Sequence, residues 1–171
     1  MVPVLWLRRW QRANKAEMQL DGRHGDSSRY SKARDAKRAF ELAAAGAELG
    51  CAHSKGVLGR CYIWGNGVAI DEARGLALAR ESAAAGSCFG QYAVGLCYWY
   101  GFVVAQDYAV AARYYSLAAG QWHASAQNSW GVMLHNGNGV AKDYFRAARL
   151  LTLAAKQGNA CALNNLLREP W

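Results

Sequence analysis

The chain has 171 residues, 53% of them hydrophobic, which is enough to bury the core of one domain and too apolar for disorder by composition. No apolar run approaches the roughly 20 residues of a membrane-spanning helix. The net charge of +8 is uneven: residues 1–40 hold ten basic and four acidic side chains, residues 41–171 ten and eight. The basicity therefore belongs to the front of the chain and not to its body.

Residues 1–30 read as a basic, aromatic extension. Val2 to Leu7 are apolar and Arg8 and Arg9 follow. A secretory signal carries its charges ahead of a longer apolar stretch, so the order here is wrong and the stretch too short. Trp6 and Trp10 lie four apart and can share a helix face. With Arg8, Arg9 and Arg12 they are the candidate contacts of the arm, toward a partner protein, an anionic lipid surface or nucleic acid. The alternative is a merely solvated segment. Gly22, Gly25, Asp26, Ser27 and Ser28 read as loop.

From Asp35 onward the sequence repeats at a fixed step of 36. Gly59, Gly95 and Gly131 fall in register, as do Gly65, Gly101 and Gly137. Val68, Val104 and Val140 follow the same step, then Asp71, Asp107 and Asp143, then Ala83, Ala119 and Ala155. Five positions shared by three copies without a gap point to a tandem array. The array occupies residues 31–171, with full units at about 51–86, 87–122 and 123–158. Asp35, Ala39, Ala47 and Gly50 form the second half of an earlier unit. Ala162, Leu166 and Leu167 lie one step past the third copy and read as a single capping helix.

Each unit reads as two helices. The first runs over 54–64, 90–100 and 126–136 in the three copies. Gly65-Asn66-Gly67 and Gly137-Asn138-Gly139 then supply the positive φ that lets a chain leave one helix and enter the next quickly. The second helix opens at Asp71, Asp107 or Asp143, whose carboxylate caps free amides and complements the helix dipole for about 1 kcal/mol. Ala83-Ala84, Ala118-Ala119 and Ala154-Ala155 allow close helix approach, and Gly86 and Gly158 close the helix. The central copy departs twice. Val103 stands where the others have Gly67 and Gly139. A β-branched residue resists positive φ, so this turn is expected to be built differently. Trp122 stands where the others have Gly86 and Gly158, and Gly120 is expected to end that helix early. Both departures place large apolar side chains at turns, through local repacking or as an interface patch.

Five cysteines at irregular spacing make no disulfide framework, and neither a C-x-x-C nor a histidine at metal-ligand spacing accompanies them. They are expected to be buried, reduced thiols, which favours a reducing compartment. No catalytic constellation appears. Gly65-Asn66-Gly67 lies between helices and lacks the Lys-Ser/Thr ending of a phosphate loop. Asp71, Asp107 and Asp143 recur once per unit, as caps do. His24, His53, His123 and His135 do not cluster with Cys or acids, and no G-x-S-x-G is present. The expectation is a protein without enzymatic activity, metal or cofactor.

The pattern Leu58-Gly59-x-x-Tyr62-x-x-Gly65-x-Gly67-Val68-x-x-Asp71, followed by Ala83 and Gly86, resembles the Sel-one-like repeat, a relative of the tetratricopeptide repeat. The third copy matches equally well, and the central copy departs at Val103 and Trp122. The resemblance covers about residues 35–168. It implies an all-α, right-handed superhelical solenoid of about three and a half repeats and an adaptor that holds other proteins in a multiprotein assembly. Some secreted members carry a disulfide in each repeat; here Cys61 and Cys97 are equivalents of one another, not partners.

An α-hairpin that cannot bury its apolar face alone stacks on its neighbours and leaves an extended surface for partners. If the first helices line that surface, the candidate partner-binding residues are Lys55, Ile63 and Trp64, then Gln91, Trp99 and Tyr100, then Gln127, His135 and Asn136. Trp and Tyr are enriched at interface hot spots; the same rings can equally plug gaps between repeats. The sharper expectation is a small accessory subunit of a larger assembly. The alternative is a free adaptor that grips peptide segments. A different class, RNA binding, would run through residues 8–38, since the repeats are nearly neutral.

Overall fold

The computed structural model describes residues 27–168, with side chains from residue 33. Trp6, Arg8, Arg9, Trp10 and Arg12 lie outside the described residues. The chain divides into Met1–Asp35, of which only the start of one helix is described, and Ala36–Trp171, which carries the packing below. The described residues form eight α-helices and no strand: α1 (Ser27–Glu48), α2 (Ala52–Trp64), α3 (Glu72–Ala84), α4 (Cys88–Tyr100), α5 (Tyr108–Gly120), α6 (Ala124–Asn136), α7 (Tyr144–Lys156) and α8 (Ala160–Arg168). The fold is an all-α repeat solenoid. Ser27 and Ser28, expected in a loop, begin α1.

The repeated residues set the repeated frame. Asp71, Asp107 and Asp143 each accept a hydrogen bond at Oδ1 from the amide three residues on, at 3.0, 3.0 and 2.9 Å. Gly65, Gly101 and Gly137 take left-handed backbone at the ends of α2, α4 and α6. The amides of Asp71, Asp107 and Asp143 then donate to the carbonyls of Tyr62, Tyr98 and Leu134, each at 3.0 Å. The first helices start two residues earlier than expected, because Cys51, Ser87 and His123 take the extended cap position.

Both departures of the central repeat keep this frame, against expectation. Val103 has φ 62°, where Gly67 and Gly139 have 75° and 70°. Phe102 donates to the Cys97 carbonyl at 2.9 Å, as Asn66 does to Cys61 and Asn138 to Met133. Trp122 has φ 64°, where Gly86 and Gly158 have 81° and 85°. α5 is 13 residues long and includes Gly120, the same length as α3 and α7. Hydrogen bonds on both sides dictate the backbone, and the side chain is carried into a conformation that disfavours it by about 1–2 kcal/mol. Neither side chain compensates by burial: Val103 is 55% exposed and Trp122 65%.

Small residues decide how close the helices come. A Cβ at Gly59 would stand 2.7 Å from the Gly75 carbonyl, and one at Gly75 2.7 Å from the Gly59 carbonyl, so α2 and α3 meet backbone to backbone. Ala118, Ala119 and Ala154 are buried as expected, whereas Ala84 faces solvent. Between repeats, α2 packs directly on α4: a Cβ at Gly56 would lie 2.5 Å from the Gly90 nitrogen. One step along the ladder Gly56 becomes Tyr92 and Gly90 becomes Ala126. α4 and α6 accordingly stand farther apart, with the Tyr92 ring beside His123 at 4.7 Å and Tyr115 at 5.6 Å.

Candidate partner-binding groove

The widened spacing between α4 and α6 opens a cleft on the side formed by the first helices. Its rings follow one another across the repeats, with His53 5.5 Å from Phe89 and Phe89 5.1 Å from His123. A pocket of about 460 Å³ lies there, lined by Arg60 of α2, by Cys88 and Phe89 of α4, and by Gln121, Trp122, His123, Ala124 and Ser125 at the entry to α6. The Tyr92 ring stands beside the lining residue His123, and burial raises its phenol, with the Ser129 hydroxyl and then the Arg60 charge opposing that rise.

The charge in this pocket comes from one side chain. Burial first, and the Arg60 charge second, push His123 down to about 4, so its ring is neutral near pH 7. His123 Nδ1 accepts from the Ala126 amide at 3.2 Å and so caps α6. In the neutral ring that leaves Nε2 as the protonated, donating nitrogen. Arg60 is half-buried, and no carboxylate pairs with it among the described residues. Burial raises the Cys88 thiol, which keeps it protonated. Cys97 is pushed up to about 12 by burial and by the nearby Glu72. Among the described residues no cluster of three or more His, Cys, Asp or Glu is placed to hold a metal ion.

The residues expected to meet partners sit elsewhere. Lys55, Gln91 and Gln127 occupy one ladder position, and each ties its first helix to the second helix, or the turn after it, in its own repeat. Lys55 Nζ donates to Glu81 at 2.9 Å. Gln121 Nε2 donates to Gln91 Oε1 at 2.8 Å, and Gln157 Nε2 to Gln127 Oε1 at 2.7 Å. Gln91 and Gln127 are buried, at 8% and 2% exposure, and so are corrected from surface candidates to internal cross-links. Ile63 is likewise core. Trp64 meets Tyr100 and Phe102 edge to face at 5.4 Å, joining the first repeat to the second. Trp99 packs on Tyr108 at 4.9 Å and His135 on Tyr144 at 5.3 Å, each at the start of the following helix. These rings are half-buried, and none lines the pocket. Gly59, Gly95 and Gly131 stand at helix contacts, where Gly95 faces the Tyr115 ring and Gly131 the Leu151 side chain.

Arg60, Phe89, Tyr92 and Ser125 were not singled out from the sequence. The available signal was the exchange of Gly56 for Tyr92 at a contact where a ring cannot fit. All five thiols are free. Cys51, the cap residue of α2, and Cys161, in the first turn of α8, are exposed, contrary to expectation.

The sequence profile of the Sel1 repeat matches residues 17–51, 57–87, 89–121 and 124–159. No curated protein matches the chain significantly. Among solved structures it is similar to a Sel1 repeat protein from Oxalobacter formigenes, with 28% identity and a TM-score of 0.62 over 76% of this chain and 53% of that one. It is similar to c5321, a protective antigen of uropathogenic Escherichia coli with an SLR fold, with 30% identity and a TM-score of 0.64 over 97% of this chain and 36% of that one. Helicobacter pylori cysteine rich protein B shares the fold at 24% identity and a TM-score of 0.59, over 78% of this chain and 96% of that one. The chain thus spans about half the length of the first of these proteins and about a third of the second. Four profile matches cover most of its residues; the last three coincide with the ladder of capped hairpins, and the first begins at residue 17, ahead of the start at about residue 35 expected from the sequence. The chain belongs to the Sel1 repeat family, a non-catalytic fold whose members generally act as protein–protein interaction scaffolds.

Proposed function

We propose that this protein is an adaptor that grips a segment of a partner protein in the cleft between α4 and α6. The observation that carries this reading is the cleft itself, open, lined by rings and bordered by hydrogen-bonding groups. Partner segments bind such surfaces through a few aromatic anchors surrounded by polar groups. The test is selection of 12-residue peptides from a displayed random library on the immobilised full chain. Selected peptides are expected to bind the chain at micromolar strength and Phe89→Ala at least tenfold more weakly, with helical circular dichroism unchanged. Failure to enrich any peptide, or equal binding by Phe89→Ala, sinks the reading.

A second reading, an accessory subunit of a stable assembly, is favoured by the last hairpin. Phe145 is 83% exposed and Leu167 78%, with Tyr144 and Leu163 also exposed on α7 and α8. Groups of this kind are usually covered in a stable complex. Sedimentation of the isolated chain tests it: a single monomer at high concentration, with no self-association, argues against an obligate subunit.

A further inference from the structure

The pocket beside α6 contains an imbalance that packing alone does not explain. Arg60 reaches it half-buried, and among the described residues no acid answers its charge. A partly desolvated cation without a counter-ion is held at a disadvantage that an incoming anion removes. His123 adds a neutral N–H donor at the same wall, and Ser125 a hydroxyl. Two rings frame these donors, Phe89 on α4 and Trp122 in the turn. The turn adds an independent observation. Trp122 holds φ 64° where the other repeats have glycine, and a Cβ at Gly86 or Gly158 would meet nothing within 4 Å. Glycine would serve the backbone better, yet a large ring stands there at 65% exposure on the edge of the pocket. Backbone strain kept at an exposed aromatic is a mark of function.

We propose that this pocket takes the carboxylate side chain of an aspartate or glutamate in a partner protein. Arg60 is the counter-ion, His123 and Ser125 are the further donors, and Trp122 and Phe89 pack on the residues flanking the acid. Arg60 and the Nε2–H of His123 can only donate, the Gln121 amide nitrogen is already spent on Gly86 and Gln91, and guanidinium matches a carboxylate in two parallel hydrogen bonds. This specifies the partner chemistry of the adaptor reading and rests on it.

The test uses the full chain and a synthetic array of 12-residue peptides, acetylated and amidated. One central position is Glu, Asp, Gln or Lys, and the flanks are varied among aliphatic and aromatic residues. Peptides with Glu or Asp are expected to be retained at least tenfold better than their Gln counterparts, and Lys peptides not at all. Arg60→Gln is expected to erase that preference while leaving helicity unchanged. Trp122→Gly is expected to raise the melting temperature and yet weaken retention of the same acidic peptides several-fold. Retention independent of the central charge, or a preference that survives Arg60→Gln, overturns the acidic pocket while leaving the adaptor reading standing. Absence of retention for every peptide overturns both. Binding restricted to peptides with a free carboxyl terminus, or stronger retention of an oligouridylate of equal length, overturns the choice of a side-chain carboxylate.

Discussion

His123 stands where the other copies have Cys51 and Ser87, at the cap of a first helix, and it does two things at once. Its Nδ1 serves the Ala126 amide, and its ring forms a wall of the pocket. Burial, reinforced by Arg60, holds it near 4 in the folded chain, below its ordinary value of 6.5. Between those pH values the unfolded chain binds more protons than the folded one. The stability that comes from a neutral His123 is therefore complete above about pH 6.5 and is lost as pH falls toward 4. His123→Asn keeps a capping acceptor without a titrating ring. It is expected to flatten the decline of melting temperature from pH 6.5 to 4; an unchanged decline would show that other groups produce it. Ser87, at the equivalent cap, is buried, and its hydroxyl has no hydrogen-bond partner. A buried unsatisfied hydroxyl disfavours the fold by about 1–3 kcal/mol. Ser87→Ala is thus expected to raise the midpoint of urea unfolding, and a lowered midpoint would contradict this account.

At the scale of the helix, two glycines of one repeat do different work, and substitution separates them. Gly59 lies where α2 meets α3 backbone to backbone, 2.7 Å from the Gly75 carbonyl and 3.0 Å from the Ala79 nitrogen for an added Cβ. Neither neighbour is the flexible end of a side chain. Gly59→Leu is expected to destabilise by about 3 kcal/mol or more, since overpacking against backbone forces the helices apart. Gly86 faces open space and owes its identity to φ 81° alone. Gly86→Ala is expected to lose only about 1 kcal/mol. Urea unfolding of the two variants decides it, and equal losses would mean that conformation, not contact, sets both positions. The same contrast explains Trp122, which stands in left-handed backbone where a Cβ at Gly86 or Gly158 would meet nothing within 4 Å, so that only strain opposes it; at Gly67 and Gly139, the equivalents of Val103, an added Cβ would meet backbone of a neighbouring helix.

Across the array, coupling between repeats is uneven. The first and second repeats share the direct α2–α4 contact, with Gly56 and Gly90 at its centre. The second and third lack its equivalent, because Tyr92 holds α4 and α6 apart. In a linear array, stability is a sum of unit and neighbour-interface terms, so the array is expected to open where an interface is thinnest. Native-state hydrogen exchange in low denaturant is expected to show α6, α7 and α8 opening as one unit at lower free energy than α2, α3 and α4. A single opening free energy for all helices would refute this.

The 36-residue step determined a great deal without coordinates: two helices per unit, aspartate caps, glycine turns and a solenoid. Each of these is local, because a cap or a turn needs only the few residues that make it. The sequence also marked Val103 and Trp122 as departures, but local propensity pointed to altered turns. The hydrogen-bonded frame of the neighbouring helices overrode that preference. The binding face was legible only in part, since ladder position tells which residues are equivalent and not which way they point. Lys55, Gln91 and Gln127 look like surface polar residues in sequence and become cross-links once the following helix folds back upon them. The pocket depended on tertiary structure altogether. It exists because one ring stands where a glycine let two helices touch, and the distance between helices is set by packing across repeats, which no single stretch of sequence contains.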